Sequence, residues 1–75
     1  MMGMNQLKFF RMSKGFSQLD VALRLGVSEK TVSCWETGRA EPRDDIAIDI
    51  ARVLGVSPEE IWPERFGGYK VGKRT

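Results

Sequence analysis

Apolar residues recur three or four positions apart along the first 54 residues, with polar residues between them. This is the spacing of one face of an α-helix, and it differs from the strict alternation of a half-buried strand. The residues that share a face are Leu7 and Phe10; Val21, Ala22 and Leu25; Val32 and Trp35; and Ile46, Ala47, Ile50, Ala51 and Leu54. The pattern therefore predicts amphipathic helices that bury these faces against one another.

Start and stop signals divide this pattern into five helices. Ser17 begins a capping box with Asp20 three positions later, and Ser28 and Ser57 stand in matching places before later apolar segments. A glycine follows each of the first four segments, where a left-handed residue is favoured, at Gly15, Gly26, Gly38 and Gly55. The predicted helices cover residues 4–14, 17–25, 28–37, 44–54 and 57–62, so we expect a compact all-α, five-helix fold.

The length of the chain limits its domain organisation. A chain of 75 residues suffices for one small domain and is too short for two. Pro63 ends the fifth predicted helix, and three glycines follow within residues 67–72 among basic residues, which is typical of a tail. We therefore predict a helical domain over residues 1–64 and a basic, glycine-rich tail over residues 65–75.

The end of the chain also carries aromatic side chains, which leave two alternatives open. They either close the bottom of the core or form a dimer surface. The three residues concerned are Trp62, Phe66 and Tyr69. Basic side chains beyond them, at Lys70, Lys73 and Arg74, offer electrostatic attraction to a polyanion.

The net charge of +2 conceals three zones of different sign. Residues 1–39 hold six basic and three acidic side chains, residues 40–64 hold two and seven, and residues 65–75 hold four and none. Such asymmetry is typical of a protein that contacts nucleic acid or a membrane surface. We expect the acidic zone to face away from any polyanionic partner, as a solubilising surface or as an activation patch.

Several classes of site are excluded by composition. The chain has no histidine and one cysteine, Cys34, so it has no His-based catalytic triad, no Cys/His metal site and no internal disulfide. No apolar run approaches the roughly 20 residues of a membrane span, and no signal peptide is recognisable. We therefore predict a cytoplasmic protein that is not an enzyme, with no metal, no cofactor and no small-molecule ligand implied.

The second and third predicted helices are separated only by Gly26-Val27-Ser28, which is the short connection of a helix-turn-helix. With its surroundings this turn resembles the lambda-repressor-like (Cro/XRE-type) helix-turn-helix regulators. The resemblance covers about residues 5–62, and the residues that carry it are Leu7, Phe10-Arg11, Gly15-Phe16-Ser17-Gln18, Val21-Ala22, Leu25 to Ser28, Thr31-Val32-Ser33, Trp35-Glu36, Gly38-Arg39, Pro42, Ala51 and Leu54-Gly55-Val56-Ser57. The resemblance implies that the protein binds double-stranded DNA, with the third helix in the major groove.

The face of the third helix opposite Val32 and Trp35 supplies the base-reading candidates. The resemblance places Glu29, Lys30 and Cys34 at base-reading positions, and Ser33 lies on the same face. Lys30 is a donor suited to guanine, Glu29 an acceptor suited to the cytosine amino group, and a serine serves either role. Two alternatives stay open, because Glu29 also suits the first turn of any helix and Cys34 also suits a half-buried position.

The phosphate-contacting candidates lie around this helix. Gln18 stands at the start of the second helix, where free amides and the helix dipole favour a phosphate, although a solvated polar side chain is the alternative. Arg39 and Arg43 follow the third helix in a loop expected to run along the backbone. The remaining candidates, at the flanks, are Ser17, Thr31 and Thr37.

Two further residues of the third helix are expected to be structural. The spacing of Trp35 from Val32 places its indole in the core. Glu36 is predicted to form an ion pair with Arg11 and to have no functional role of its own.

Together these features predict a sequence-specific transcriptional regulator, most simply a repressor of phage type that occupies an operator and excludes polymerase. One recognition helix contacts about half a site, so we expect a homodimer on a palindromic operator. The rival hypothesis is a protein-interaction module, such as an antitoxin-like adaptor, that keeps the fold with weak or no DNA binding. Glu29 and Cys34 on the reading face favour this alternative.

Overall fold

A computed structural model describes residues 5–66, and within them the chain is entirely helical and turn. The helices are α1 (Leu7–Ser13), α2 (Gln18–Leu25), α3 (Glu29–Thr37), α4 (Asp44–Leu54), α5 (Pro58–Ile61) and α6 (Pro63–Phe66). The predicted all-α fold is confirmed, and the five predicted helices correspond to α1 to α5. The short helix α6 is an addition, because Pro63 ends α5 and also supplies the first residue of a new turn.

The capping signals act where the sequence places them. The Ser17 hydroxyl accepts the Asp20 amide N–H at 3.0 Å, and the Ser17 amide donates to the Asp20 carboxylate at 2.8 Å. The Ser28 hydroxyl accepts the amide N–H of Thr31 at 3.1 Å. Gly26, with φ of 74°, ends α2 in the left-handed region. These bonds join residues no more than four positions apart, so the boundaries of α2 and α3 are set by local contacts.

The core lies where α1 to α5 meet, and it is formed by the faces that the apolar spacing predicts. Trp35 is 6% exposed, so its predicted place in the core is confirmed. Phe10, Leu25 and Ile46 are half-buried and pack against the edge of the core. The buried hydrophobic residues are Leu7, Val21, Ala22, Val32, Trp35, Ala47, Ile50, Ala51, Leu54, Ile61, Trp62 and Phe66.

The aromatic residues near the end of the chain extend this core. Trp62 and Phe66 are 5% and 6% exposed, and their ring centroids lie 6.2 Å apart. Of the two alternatives for these residues, closing the core is the one observed. Tyr69 lies outside the described residues.

The predicted boundary between domain and tail, at residues 64 and 65, falls inside α6. Arg65 and Phe66, the first two residues of the predicted tail, belong to this helix, and Phe66 is buried. Arg65 donates to Asp44 at 2.8 Å, lies 3.6 Å from Glu41, and its guanidinium stands 5.1 Å from the centre of the Phe66 ring. No local pattern indicates these contacts, because Asp44 is 21 residues away along the chain. Residues 67–75, the rest of the predicted tail, lie outside the described residues.

Candidate nucleic-acid interface

The helix-turn-helix is formed by α2, the turn at Gly26 and α3. After the left-handed Gly26, the Val27 amide donates to the Ala22 carbonyl at 3.0 Å, and the Val27 side chain packs half-buried against the core. Ser28 then caps α3 directly. The turn is therefore held by backbone bonds and by one apolar anchor, which fixes the direction in which α3 leaves α2.

The helix α3 has one buried face and one open face. Val32, Trp35 and Glu36 are buried, whereas Glu29 and Lys30 are exposed and Ser33 and Cys34 are half-buried. Positions 30, 33, 34 and 37 are spaced by three or four residues, so they form a stripe along the face opposite the buried one. We call Lys30, Ser33, Cys34 and Thr37 the α3 stripe. Glu29 lies beside it, in the first turn of the helix.

The structure brings three of the four predicted base-reading residues, Lys30, Ser33 and Cys34, together on this stripe. The fourth, Glu29, lies at the flank, near the positive end of the α3 dipole. Both readings of Glu29, as a base contact or as a first-turn acid, agree with this position. Cys34 is a free, half-buried thiol, so it has both the partial exposure of a contact residue and the partial burial of a filler.

The predicted phosphate-contacting residues occupy different environments. Ser17 and Gln18 stand at the start of α2, where the backbone amides of Gln18 and Leu19 have no acceptor among residues 5–66. Free amides of this kind at a helix N-terminus attract anions. Ser17 is exposed, and its hydroxyl oxygen is already engaged by the Asp20 amide. Gln18 is half-buried.

The two threonines and the two arginines differ in how far their polar groups are already engaged. The Thr31 hydroxyl lies 2.9 Å from that of Ser28, and the Thr37 hydroxyl donates to the Ser33 carbonyl at 3.2 Å. Arg39 is exposed in the loop after α3. The Arg43 side chain is 81% exposed and 3.7 Å from Asp45, a separation at which water competes effectively for both charges. Both arginines are therefore accessible to a polyanion.

A buried ionic cluster lies behind the start of α2. The Glu36 carboxylate accepts from Nε and from an Nη of Arg11, and the exposed fractions of these side chains are 4% and 9%. The predicted Arg11–Glu36 ion pair is thus confirmed. Arg11 also donates to the Phe16 carbonyl at 2.8 Å, and Gln18 donates from Nε2 to Glu36 Oε1 at 3.0 Å. The sequence predicts Gln18 as a phosphate contact or a solvated polar side chain, and no local pattern indicates its bond to a residue 18 positions away.

The charges around the site are arranged unevenly. The Ser17 backbone amide, and then its hydroxyl, lower the pKa of the Asp20 carboxyl, with a further contribution from the positive charge of Arg24. Asp20 is therefore ionised at neutral pH and is engaged by the capping box of α2. Glu41 and Asp44, which follow α3, are paired with Arg65. Their pairing reduces the negative charge beside Arg39 and Arg43 in the sequence.

Within residues 5–66 no group of three or more acidic, cysteine or histidine side chains is placed to hold a metal ion. None of the helices there combines the length and the apolar character that crossing a bilayer requires.

Comparison with known proteins decides the family. A family model described as helix-turn-helix matches residues 7–61, which is most of the chain. The chain belongs to the helix-turn-helix family. The matched range begins with α1 and ends with α5, so it includes the interface described above and all of the core except Trp62 and Phe66. The predicted lambda-repressor-like membership is confirmed.

Individual relatives agree with this assignment. An uncharacterized HTH-type transcriptional regulator of Methanocaldococcus jannaschii is 38% identical over 58 residues, which are 77% of this chain and 88% of the relative. A crystal structure of a candidate DNA-binding protein from Bacteroides fragilis superposes with a TM-score of 0.73 at 28% identity, covering 77% of this chain and 94% of the other. A crystal structure of a hypothetical transcription factor from Neisseria superposes with a TM-score of 0.67 at 28% identity. The match covers 83% of this chain and 75% of the other.

The helix-turn-helix family to which the chain belongs is one of DNA-binding transcription regulators. The predicted class of function is confirmed at this level. The roles of individual residues, the mode of regulation and the oligomeric state are matters of proposal.

Proposed function

We propose that this helix-turn-helix protein is a sequence-specific transcriptional regulator that reads the major groove with α3. The observation that carries the proposal is the α3 stripe. It presents one flexible cation, two hydroxyls and one thiol on the open face of a helix whose other face is fixed in the core. A helix with such a face fits the major groove of B-DNA.

The chemistry of each side chain on the open face of α3 suggests which base it contacts. Lys30 donates to the O6 and N7 acceptors of guanine, and Ser33 donates or accepts at a neighbouring base. Cys34 presents a small, weakly polar surface to a thymine methyl group. Glu29, at the flank, accepts from a cytosine amino group. Each good base contact contributes about 1–3 kcal/mol of discrimination against the wrong base.

The phosphate contacts surround the stripe. Gln18 and Ser17 bring the free amides at the start of α2 to one phosphate, and Arg39 and Arg43 bind the backbone beyond the end of α3. Thr31 and Thr37 flank the groove. These contacts place the protein on the duplex and carry no sequence information of their own.

The length of α3 supports the binding of two copies. The nine residues of α3 span about 13 Å, roughly half of one turn of DNA, so one copy reads one half-site. We propose that a homodimer binds a palindromic operator and represses transcription by excluding polymerase, as a phage-type regulator does. A cytoplasmic protein bound to the nucleoid is part of the same proposal.

The test begins with selection of bound sequences from a random DNA pool, followed by titration of the enriched duplex. Lys30→Ala should lower discrimination at one base position by about 1–3 kcal/mol. Arg39→Ala should weaken binding to all sequences alike and reduce the slope of log K against log salt by about 0.9. Arg52→Ala is the matched control, because Arg52 is an exposed arginine of α4 paired with Asp49.

Two results would contradict separate parts of the proposal, the docking of α3 and the homodimer. If Lys30→Ala and Arg39→Ala both bind like the wild type and like Arg52→Ala, the proposed docking of α3 is wrong. A complex that holds one copy of the protein on one isolated half-site, at full affinity, contradicts the homodimer.

One observation favours a second candidate, a protein-interaction module with weak or no DNA binding. Four large apolar side chains are exposed on α1 and α2, outside the proposed interface: Phe9, Met12, Leu19 and Leu23. Their exposed fractions are 61%, 59%, 49% and 70%. Such a module would bind neither enriched nor random duplexes with the steep salt dependence of a phosphate-contacting protein. The titration above therefore distinguishes the two functions.

A further inference from the structure

The Glu36 carboxylate is the point at which three helices meet. It lies on the buried face of α3 and accepts two bonds from Arg11 of α1. It accepts a third bond, at 3.0 Å, from the side-chain amide of Gln18, the first residue of α2. Glu36 thus connects the ionic interior to the edge of the proposed DNA interface.

The chemistry of this third bond fixes the orientation of the Gln18 amide. An ionised carboxylate only accepts hydrogen bonds, so it selects the NH₂ end of the amide and turns the carbonyl end away. The nitrogen has a second N–H, which has no acceptor among the described residues. That N–H lies on the same residue as one of the free backbone amides at the start of α2. Several donors are therefore held together before any ligand is present.

The charge of Glu36 does not oppose an anion at this place, because Arg11 neutralises it. Both charges are almost completely withdrawn from water, so their attraction is weakly screened. A phosphate at the start of α2 meets an ion pair of zero net charge and a row of N–H donors.

We propose that Glu36 is a positioning residue for DNA binding: through its bond to Nε2 it holds the Gln18 amide in the orientation that donates to a phosphate. The inference rests on the proposed phosphate contact of Gln18. Holding a flexible side chain in its bound conformation before binding removes the entropy cost of ordering it in the complex. A purely structural Glu36 would stabilise the fold without affecting this contact.

A double-mutant cycle on the duplex enriched from the random pool tests the proposal. Gln18→Met removes the donor and keeps the length of the side chain. Arg11→Met combined with Glu36→Met removes the acceptor and leaves no unpaired buried charge, an exchange that folded proteins commonly tolerate. Gln18→Met should weaken binding about tenfold per protomer, the value of one hydrogen bond to a charged group.

The test is whether Gln18→Met and Arg11→Met/Glu36→Met affect DNA affinity independently of each other. The Arg11→Met/Glu36→Met variant should lose several-fold in affinity, and the triple variant that also carries Gln18→Met should bind only slightly more weakly than Gln18→Met alone. If the losses multiply, Glu36 acts independently of Gln18 and the positioning role is wrong. If Gln18→Met binds like the wild type, the proposed phosphate contact fails, and the positioning role fails with it.

Replacement of single phosphates by neutral methylphosphonates locates the effect. The wild type should lose affinity at one phosphate per half-site, and Gln18→Met should lose less there because only the backbone amides at the start of α2 still donate to it. The Arg11→Met/Glu36→Met variant should show a reduced loss at that same phosphate. A change confined to stability would leave its sensitivity at that phosphate unchanged.

The protein without DNA provides a second readout. In the wild type the side-chain amide of Gln18 should show one downfield NMR proton and a single rotamer, and both features should be lost in the Arg11→Met/Glu36→Met variant. A freely rotating Gln18 side chain in the folded wild type would overturn the proposal whatever the binding data show. Far-UV circular dichroism checks that each variant is folded.

Discussion

The buried ion pair between Arg11 and Glu36 makes the sharpest prediction about stability. Arg11→Met keeps most of the aliphatic volume and removes the guanidinium. Glu36, 4% exposed, would then retain only the Gln18 amide of its three hydrogen-bonding connections. The Phe16 carbonyl would also lose the donor that Arg11 supplies at 2.8 Å.

The expected magnitude is a large part of the total stability. Removing one partner of a buried pair costs about 3–5 kcal/mol, because the remaining charge is left uncompensated. A chain of 75 residues is stable by about 4–11 kcal/mol. With a urea m-value of about 1 kcal/mol/M for a protein of this size, the unfolding midpoint should fall by about 3 M or more.

Urea unfolding followed by tryptophan fluorescence and circular dichroism measures this change, since Trp35 and Trp62 both lie in the core. Arg52→Met is the matched control. Arg52 also pairs with an acid, Asp49 at 3.2 Å, but its side chain is 75% exposed. The control should change stability by less than about 1 kcal/mol. If Arg11→Met unfolds at the same urea concentration as Arg52→Met, the buried pair contributes no more to stability than the exposed one, and the prediction is wrong.

Three further predictions concern the turn, the capping box and the end of the chain. Gly26→Ala should lower the free energy of unfolding by about 1–2 kcal/mol through backbone strain alone, because φ is 74° and a Cβ there meets nothing within 4 Å. Gly26→Asn should lower it less, and equal urea midpoints for the two variants would contradict this. Because the pKa of Asp20 is lowered in the folded state, its capping bond contributes fully to stability at pH values above 3.8, the ordinary pKa of this carboxyl. That contribution is lost as the pH falls through the lowered pKa of the folded state. The stability difference between wild type and Asp20→Asn, measured by urea unfolding, should therefore be present at pH 7 and shrink below pH 3.8, and a difference that grows in acid would refute the reasoning. Phe66→Ala should lower the free energy of unfolding by about 3 kcal/mol, as a large-to-small change in a core does. Unchanged stability in thermal or urea unfolding would show that Phe66 does not contribute to the core.

The helices and the site were predictable from the sequence to different degrees. Ser17, Asp20 and Gly26 act on atoms within four residues along the chain, so their consequences can be read without the fold. The apolar spacing likewise identified the buried face of α3, and its open face followed by exclusion. The α3 stripe is therefore a local property of residues 29–37.

The boundary at the end of the chain was less predictable. Pro63 and the glycines after Phe66 indicated a tail from residue 65, whereas Arg65 and Phe66 pack on the domain. A short turn such as α6 has too few residues for a periodic pattern, and its place depends on contacts with Asp44 and Trp62, which local spacing does not encode.

The all-helical content, the helix-turn-helix and the family were predictable from the residues alone, because caps, glycines and apolar spacing act over three or four residues. The Arg11–Glu36 pair was predictable as well. The bond from Gln18 to this pair and the place of Phe66 in the core became visible only in the folded structure. Those contacts depend on which faces of separate helices meet, and burial then makes them strong, since charges and amides withdrawn from water must find partners within the protein.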